Sequence, residues 1–308
     1  PEPGETAARR TVSRCFTRHQ YCRTSLPPVG LVEHFLYGKV WVMENRQPRV
    51  LFLSHGGGPM PLLGDKRHQE MVENLKVIAS KIKKPSAIIV ISAHWEENIP
   101  AITSGENPSL IYDYYGFPEE AYKIKYPCPG EPLLASRIHT RLENAGIASR
   151  LDDQRGFDHG LFVPLKIMYP DADIPCVQLS LVNSLNPAEH LKIGRTLQDL
   201  DHENLLVIGS GFSFHNMKAF FAPETSASKA MNESFEDSLL ATCCNPDIDA
   251  EERAQRLIEW TKAPSARFCH PREEHLLPLH VCYGIAYTGC SECFELRILN
   301  KKSSMYLW

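Results

Sequence analysis

Residues 86–95 read Ser-Ala-Ile-Ile-Val-Ile-Ser-Ala-His-Trp, an apolar run that leads directly to a histidine. An apolar run of this length without polar alternation is typical of a strand that is buried on both faces of a sheet. Further runs of the same character occupy residues 50–53, 174–181 and 204–210. These four segments are therefore predicted to be buried strands.

Helical segments are predicted after each of these strands, from apolar residues that recur at helical spacing. They occupy residues 66–84, 131–146, 186–200, 228–243, 249–261 and 270–286. Gly146 is a natural C-cap, Asn186 a natural N-cap before Pro187, and Pro271 suits a first helical turn. Alternating strands and helices predict an α/β fold: a single domain, residues 49–308, with a mostly parallel central sheet flanked by helices.

The first 48 residues differ in composition from the rest of the chain. Arg9, Arg10, Arg14, Arg18 and Arg23 are interleaved with serine, threonine and cysteine, and acidic residues are few. We interpret residues 1–48 as a basic N-terminal arm, and two hypotheses stay open for it: a disordered segment, or the remnant of an organellar targeting peptide. The expected location is therefore the cytoplasm, with an organelle as the alternative.

The overall composition is that of a soluble globular protein and excludes several classes of partner. The 308 residues carry a formal net charge of -4, with 43% hydrophobic and 23% charged residues. A slightly acidic chain is a poor nucleic-acid binder, because phosphate binding needs an excess of Lys and Arg on one face. No apolar run approaches the roughly 18 residues that indicate a membrane span. We expect a monomer or a small homo-oligomer.

Ten cysteines are scattered along the chain. A chain of this length does not need disulfide bonds to fold, so we interpret them as mostly reduced thiols. Cys290 and Cys293 form a C-x-x-C motif, and His280 and Cys282 precede it. The spacing of these four residues matches no established zinc pattern, and we interpret them as ordinary structural side chains.

Histidines follow three of the predicted strands. His55, His94 and His215 come after the runs that end near residues 53, 92 and 210. In open parallel sheets, ligands bind beyond the carboxyl ends of the strands, so these side chains should meet at one edge. His159 lies in the predicted loop Arg-Gly-Phe-Asp-His-Gly, and His275 lies at the predicted start of the last helix. The sequence thus predicts a metal site or an acid–base site at the C-terminal ends of the strands.

Other chemistries lack their motifs. The His-Gly-Gly-Gly stretch at residues 55–58 could serve as an oxyanion loop, but the chain has no G-x-S-x-G nucleophile elbow. It also lacks a complete dinucleotide-binding or phosphate-binding glycine loop. Neutral imidazoles suit Fe(II), Zn and Cu, and a further histidine would be a well-matched general base. Glu273 or Glu274 offers an alternative carboxylate ligand beside His275.

At the level of whole motifs, the chain resembles the class III extradiol ring-cleavage dioxygenases, which include the protocatechuate 4,5-dioxygenase beta-subunit-like superfamily. The 4,5-DOPA extradiol dioxygenase branch is the most similar. The resemblance covers about residues 50–300 and rests on six blocks in the same order. The blocks are SHGGGPM (54–60), SAHW (92–95), IYDYYGFPEEAYKIKYPCPGEP (111–132), GFDHGLFVPLKIMYPDADIPCVQLSL (156–181), GSGFSFHN (209–216) and HPREEHLLPL (270–279).

This resemblance implies a role for each histidine. His55, His94 and His275 correspond to metal ligands. His215 corresponds to a residue at or beside the metal, which acts as the acid–base residue in related enzymes. His159 corresponds to a residue that contacts substrate oxygen or O₂, so His215 or His159 would accept the proton of the substrate.

The resemblance also implies a substrate pocket and a cofactor. Tyr114, Tyr115 and Phe117 of the third block would form a wall of an aromatic pocket. The implied substrates are a small catechol and O₂, with Fe(II) as the active metal and Zn(II) as a second metal that the site would bind. The chain lacks the His-Pro-Ser-Asn-type signature of the plant pigment enzymes, so the resemblance implies ring cleavage and leaves the catechol open, either DOPA-like or another small catechol.

Two other functions remain compatible with the same histidines. A zinc-dependent hydrolase would use the metal without O₂, and a non-catalytic binding protein could share the fold. Dependence of turnover on O₂ separates these alternatives from a dioxygenase.

Overall fold

A computed structural model describes residues 49–308, so the predicted arm at residues 1–48 lies outside the described part of the chain. The described residues form one sheet flanked by helices. Its strands are β1 (Arg49–Ser54), β2 (Ala87–Glu97), β3 (Ala101–Thr103), β4 (Arg150–Asp152), β5 (Cys176–Val182), β6 (Leu205–Gly211), β7 (Glu292–Ile298) and β8 (Lys301–Leu307). Their order across the sheet is β4-β3-β5-β2-β6-β1-β8-β7.

The centre of the sheet is parallel, as the sequence predicted. Strands β5, β2, β6 and β1 pair in parallel with one another, whereas β3 is antiparallel to β5 at one side, and β8 and β7 add an antiparallel edge beside β1. Every residue of β5 and β6 is buried, which explains why these strands read as continuous apolar runs. In the register of this sheet, Ser92 lies opposite Ser210, and Ser54 lies opposite Gly211. The C-terminal ends of β1 and β6 therefore coincide with the Ser92 position of β2 at one edge of the sheet.

Helices cover both faces of the sheet. They are α1 (Gln69–Lys81), α2 (Pro132–Asn144), α3 (His159–Met168), α4 (Pro187–Leu197), α5 (Met217–Phe221), α6 (Ser226–Cys244), α7 (Ala250–Ile258), α8 (Ala266–Cys269) and α9 (Leu277–Ala286). None of these helices combines the length and the apolar character that a membrane crossing requires.

The end of β6 shows how the two faces are arranged. A Cβ atom on Gly209 would lie 2.7 Å from the Pro278 carbonyl oxygen, and one on Gly211 would lie 2.1 Å from the His275 carbonyl oxygen. Ser210 lies between these glycines and therefore points to the opposite face, where its hydroxyl donates to the Gly160 carbonyl in α3. The α9 segment and α3 thus sandwich β6, and the two glycines let the backbone of His275 approach the strand.

Three sequence predictions about local structure are wrong. Strand β2 does not end at Ser92 but continues to Glu97. His159 does not lie in a loop, because it is the first residue of α3. The last predicted helix begins at Leu277, not near residue 270, so His275 lies in the turn that precedes it.

Helices α4 and α9 cross at a pair of glycines. A Cβ atom on Gly284 would lie 2.3 Å from the Leu191 carbonyl oxygen and 2.9 Å from the Cα atom of Gly194. Because both neighbours are backbone atoms, the helices must separate to admit a methyl group. We expect Gly284→Ala to lower the free energy of unfolding by about 3 kcal/mol, measured by denaturant titration.

Gly146→Ala is the control for that experiment. A Cβ atom on Gly146 meets nothing within 4 Å, and only the positive φ of 71° opposes it. We expect a loss of about 1 kcal/mol, from backbone strain alone. Equal losses in the two variants would mean that the helix crossing tolerates the added methyl group.

Candidate metal centre

His55 is held by a glycine turn at the end of β1. Gly56 and Gly58 have φ values of 82° and 54°, a region that residues with a Cβ atom rarely adopt. A Cβ atom on Gly56 would also lie 2.7 Å from the ring of His68, whose Nε2 atom accepts a hydrogen bond from the Gly57 amide at 3.0 Å. The turn therefore reverses the chain tightly, and His55, which directly follows β1, is buried at the sheet edge.

His94 lies in an irregularity of β2. The pairing of β2 with β5 changes from Ser92 opposite Ser180 to Glu96 opposite Leu181. Three residues of β2, including His94, therefore have no counterpart in β5. A bulge of this kind bends the strand and re-aims its side chains. This irregularity turns His94 toward His55, and their Nε2 atoms lie 3.0 Å apart.

His159 is positioned by the N-terminus of α3. The Asp158 carboxylate caps this helix by accepting from the Gly160 amide at 3.0 Å, and it also accepts from the Ser92 hydroxyl at 2.8 Å. A Cβ atom on Gly160 would lie 2.6 Å from Ser92 Oγ. The Asp-His-Gly sequence thus combines a cap, a histidine and the absence of a side chain where α3 meets β2. The rings of His159 and His94 lie 3.9 Å apart between centroids.

His215 and His275 approach the site as a stacked pair. Their ring centroids are 3.4 Å apart and the ring planes differ by 16°. The backbone amide of His215 donates to the Cys269 carbonyl at 3.0 Å, and the His275 carbonyl accepts from the Phe212 amide at 2.9 Å. The segment after β6 and the turn before α9 are therefore fastened to each other by their backbones.

Two compact groups of potential metal ligands share His275 but differ in their other members. His55, His94 and His275 each offer one nitrogen atom, and these atoms lie within 4.8 Å of one another. His215 is not a member of that set, but it forms a second set of the same compactness with Glu274 and His275. The structure therefore brings all five predicted histidines together and places His215 beside, not within, the three-histidine group.

The hydrogen bonds of His55 fix its tautomer. The Ser210 hydroxyl has one proton, which it donates to the Gly160 carbonyl at 2.5 Å, because a carbonyl can only accept. The 3.1 Å contact between Ser210 Oγ and His55 Nδ1 must therefore be donated by His55. The proton lies on Nδ1, and Nε2 carries a lone pair directed at His94.

The other four histidines also direct Nδ1 at an acceptor, and in each case the acceptor is a carboxylate oxygen. His275 and His215 both direct Nδ1 at Glu274 Oε1, at 2.9 Å and 3.1 Å. Asp113 receives His159 Nδ1 at 2.8 Å, and its second oxygen lies 3.5 Å from His94 Nδ1. Each Nδ1 atom thus faces an acceptor and carries the ring proton. The Nε2 atom of each ring therefore keeps its lone pair.

The electrostatics of the cluster favour neutral imidazoles and ionised carboxylates. Burial, followed by repulsion from neighbouring histidines, lowers the pKa values of His55 and His94 well below 6.5 and lowers the pKa of His275 to about 3. Burial alone would raise the pKa values of Asp113 and Glu274, but hydrogen bonds from the histidines outweigh it and lower both. At neutral pH, His55, His94 and His275 are therefore neutral, whereas Asp113 and Glu274 are ionised.

These features fit a divalent metal ion. Two imidazole nitrogens that each lie about 2.1 Å from one ion are roughly 3 Å apart when they bind at adjacent positions. The 3.0 Å contact between the Nε2 atoms of His55 and His94 has this spacing, and two facing lone pairs need a shared electrophile. Metal-bound histidines usually donate their second nitrogen to a carboxylate or another acceptor, as His55 and His275 do, and His94 Nδ1 faces Asp113. His55, His94 and His275 could hold the ion, and the charges of Asp113 and Glu274 would offset it.

The predicted aromatic residues divide into two groups. The ring of Tyr114 lies 5.7 Å from that of His159 and 5.5 Å from that of Phe117, and Phe117 also borders the glycine turn near Gly58. Tyr115, in contrast, is 94% exposed. The structure brings Tyr114 and Phe117 to the site, but it does not bring Tyr115 there.

Sequence reasoning missed Asp113 and Ser210, which orient the histidines. Asp113 lies in the third block and could have been found as the acidic residue between Tyr112 and Tyr114. Ser210 had no signal beyond its place at a strand end. Of the two carboxylates offered as alternative ligands, Glu274 bonds the outer nitrogens of two histidines, and Glu273 pairs with Arg267 at 2.5 Å.

Comparisons with known proteins point to one family. A family model described as the catalytic LigB subunit of aromatic ring-opening dioxygenase matches residues 49–298. Dioxygenase tasH of Hapsidospora irregularis is 41% identical over 252 residues, which cover 77% of this chain and 78% of that protein. The 4,5-DOPA dioxygenase extradiol of Beta vulgaris is 39% identical over 246 residues, which cover 79% of this chain and 88% of that protein. In a crystal structure, the uncharacterized protein JW3007 of Escherichia coli K12 shares the fold with a TM-score of 0.64 and 29% identity, over 84% of this chain and 99% of that chain.

Proposed function

The chain belongs to the LigB family, the catalytic subunits of aromatic ring-opening dioxygenases, and on that premise we propose that it is an extradiol dioxygenase that opens the ring of a small catechol with O₂. Membership of this family was predicted from the six sequence blocks and is confirmed. The substrate class, the cleavage chemistry and the metal are the parts that we propose.

One observation carries the proposal. The nitrogens of His55, His94 and His275 form a compact set, and the second nitrogen of each ring faces an acceptor. Two or three protein ligands on one side of a metal leave positions for substrate, which is the arrangement that non-haem iron oxygenases use. When bound there, Fe(II) would supply the electron transfer between a catechol and O₂ that no side chain of the set can supply.

His215 and His159 would manage the substrate protons. Each donates Nδ1–H to a carboxylate, Glu274 or Asp113, so each keeps a lone pair on Nε2 that can accept a proton from a catechol hydroxyl. The carboxylate behind each ring would stabilise the imidazolium that results, as the aspartate does in a Ser-His-Asp triad. We assign His215 as the main acid–base residue, because its ring stacks on His275, one of the three assigned ligands.

The aromatic residues beside this site suit a flat apolar ring. Tyr114 is held by its hydroxyl, which donates to the Ala121 carbonyl at 2.7 Å, and its ring contacts His159 and Phe117 edge-on. Edge-on packing of this kind is favourable for aromatic groups and would orient a bound catechol. We propose Tyr114 and Phe117 as one wall of the substrate pocket.

Anaerobic loading with Fe(II), followed by a panel of catechols and a measured dose of O₂, tests the proposal. We expect stoichiometric O₂ consumption and a coloured ring-opened product. A Zn(II)-loaded sample is the control, because zinc has no redox chemistry and should not consume O₂. Turnover without O₂ would instead support a zinc-dependent hydrolase, and tight catechol binding without turnover by the Fe(II) form would support a binding protein.

Asp113→Asn should lower turnover without removing the fold. The variant keeps the shape of the side chain but loses the charge that faces His159 and His94. Loss of such an outer partner of a metal site typically costs 10- to 100-fold in activity or metal affinity, so we expect kcat to fall by about that factor. Steady-state kinetics and metal analysis of the same sample measure both effects.

Asp173→Asn is the matched control for this variant. Asp173 is an exposed carboxylate that pairs with Lys84 at 2.5 Å, away from the histidines. We expect wild-type kcat, KM and metal content. Unchanged kinetics in Asp113→Asn would show that the charge of Asp113 does not contribute to the site.

A further inference from the structure

Two cysteines meet where α6 ends and the segment before β7 begins. Cys244 is the last residue of α6, Cys290 lies two residues before β7, and their Sγ atoms are 3.0 Å apart. Both side chains are half-buried, whereas the nearby Cys293 is exposed. The described cysteines are all free thiols.

The backbone holds the two sulfur atoms in this position. The amide of Cys290 donates to the Cys243 carbonyl at 2.9 Å, next to Cys244 in the chain. The amide of Ser291 donates to the Leu307 carbonyl at 2.8 Å, which ties the same segment to β8. A disulfide forms without strain only where the backbone already holds the two cysteines close together, and these hydrogen bonds fix the backbone beside both sulfur atoms.

The thiol pair is accessible from a cavity. Cys244 and Cys290 both line a space of about 400 Å³, together with Asp249, Arg253 and Tyr287. A cavity of this volume admits a peroxide or a small disulfide reagent. The pair can therefore meet an oxidant in the folded state.

Metal binding does not explain the pair within the described residues. The compact three-ligand groups found there all belong to the histidine centre and contain no cysteine. The two residues that precede the C-x-x-C motif, His280 and Cys282, are engaged elsewhere. His280 contacts the Leu257 and Leu276 carbonyls through its two nitrogens, and the Cys282 thiol donates to the Leu51 carbonyl.

We propose that Cys244 and Cys290 form a redox modification site that closes to an intramolecular disulfide in the presence of a peroxide or a small-molecule disulfide. One thiolate attacks hydrogen peroxide and becomes a sulfenic acid, with hydroxide as the leaving group. The second thiolate then attacks that sulfur, and the sulfenic oxygen leaves as hydroxide. In total, two thiols lose two electrons and two protons, and one hydrogen peroxide becomes two water molecules. With glutathione disulfide, two thiol–disulfide exchanges give the same bond and two glutathione thiols.

The disulfide should form slowly, and it should stabilise the folded protein against unfolding. Their mutual hydrogen bond, with burial, raises the pKa of the Cys244 thiol, so little thiolate is present at neutral pH. The bond would close a span of 46 positions, from the end of α6 to the start of β7. Closing a loop of this length restricts the unfolded chain, so we expect Tm to rise by about 5–10 °C. This inference does not depend on the proposed catalytic function.

Oxidation of the full-length protein with excess hydrogen peroxide or glutathione disulfide tests the proposal. We expect a mass loss of two hydrogen atoms with glutathione disulfide, a Cys244–Cys290 cross-linked peptide in the digest, and a higher Tm that returns to its starting value with a reductant. Cys244→Ser and Cys290→Ser should each abolish the cross-link and the Tm shift. Cys293→Ser, which removes the exposed neighbour, should retain both.

Two outcomes would overturn the proposal. A digest in which Cys293 is the cross-linked partner, with the Tm shift lost in Cys293→Ser, would assign the site to another pair. A protein that keeps both thiols alkylatable after prolonged oxidation, while its near-ultraviolet circular dichroism stays that of the untreated protein, would show that the pair does not oxidise.

Discussion

His94→Ala is expected to lose the bound metal ion and ring-cleavage activity together. His94 supplies one of the three nitrogens of the compact group, and its Nε2 atom lies 3.0 Å from that of His55. Two remaining ligands hold a divalent ion poorly, since affinity depends on the number of donors in a fixed geometry. The loss should exceed the roughly 100-fold that removal of an outer-shell partner costs. Metal analysis after gel filtration, beside O₂ consumption with a catechol, measures both losses.

His139→Ala serves as the control for that experiment. His139 lies in α2, where its Nδ1 atom contacts the Ser149 hydroxyl at 2.8 Å, outside the histidine cluster. It should keep wild-type metal content and turnover. A His94→Ala protein that retained one metal ion per chain and full ring cleavage would remove His94 from the ligand set. A folded His94→Ala protein with metal but no turnover would reassign His94 from ligand to acid–base residue.

The sheet and the edge that carries the histidines were predictable because both depend on local pattern. An apolar run without alternation indicates a strand buried on both faces, and the parallel centre brings the ends of β1, β2 and β6 to one edge. His55 directly follows β1, so its position follows from the strand alone. Gly56 and Gly58, which follow it, both have positive φ and let the chain turn there.

Features that depend on a partner far along the chain were not predictable. The irregularity that aims His94 exists only relative to β5, more than eighty residues later, because a bulge is defined by the strand opposite. The helix after His275 starts late because the His275 carbonyl is used by the Phe212 amide and packs against Gly211. Sequence periodicity contains neither fact.

The aromatic block illustrates a different limit. Tyr114 and Tyr115 are adjacent and chemically equal, yet Tyr114 is buried against His159 and Tyr115 is 94% exposed. Adjacent side chains in irregular backbone point in different directions, and no periodicity assigns the inner one. Asp113 was missed for a related reason. Its carboxylate points to two histidines that are close only in the folded chain.

The shared carboxylates join these observations into one physical arrangement. Glu274 accepts from both stacked histidines, and Asp113 accepts from His159 and faces His94, so two acidic side chains orient four of the five rings. Each ring is thereby fixed in orientation, which is what outer partners of metal-bound histidines do. Under the proposed roles, a metal ligand and a neighbouring acid–base residue share one carboxylate in each pair.

His215→Ala is expected to keep the metal ion and lose turnover, which separates its role from that of His94. His215 stands outside the three-histidine group but stacks on His275 at 3.4 Å, with Nε2 free to accept a proton. Loss of a positioned general base typically costs 10²- to 10⁴-fold, so we expect kcat to fall by about that factor with the metal content unchanged. His202→Ala, a change at a histidine whose Nδ1 contacts the Glu203 carbonyl, should leave both values at wild type. Loss of metal from His215→Ala would make it a fourth ligand. Full turnover in this variant, with loss only in His159→Ala, would assign the proton transfer to His159, where Asp113 would then be the carboxylate that supports the reaction.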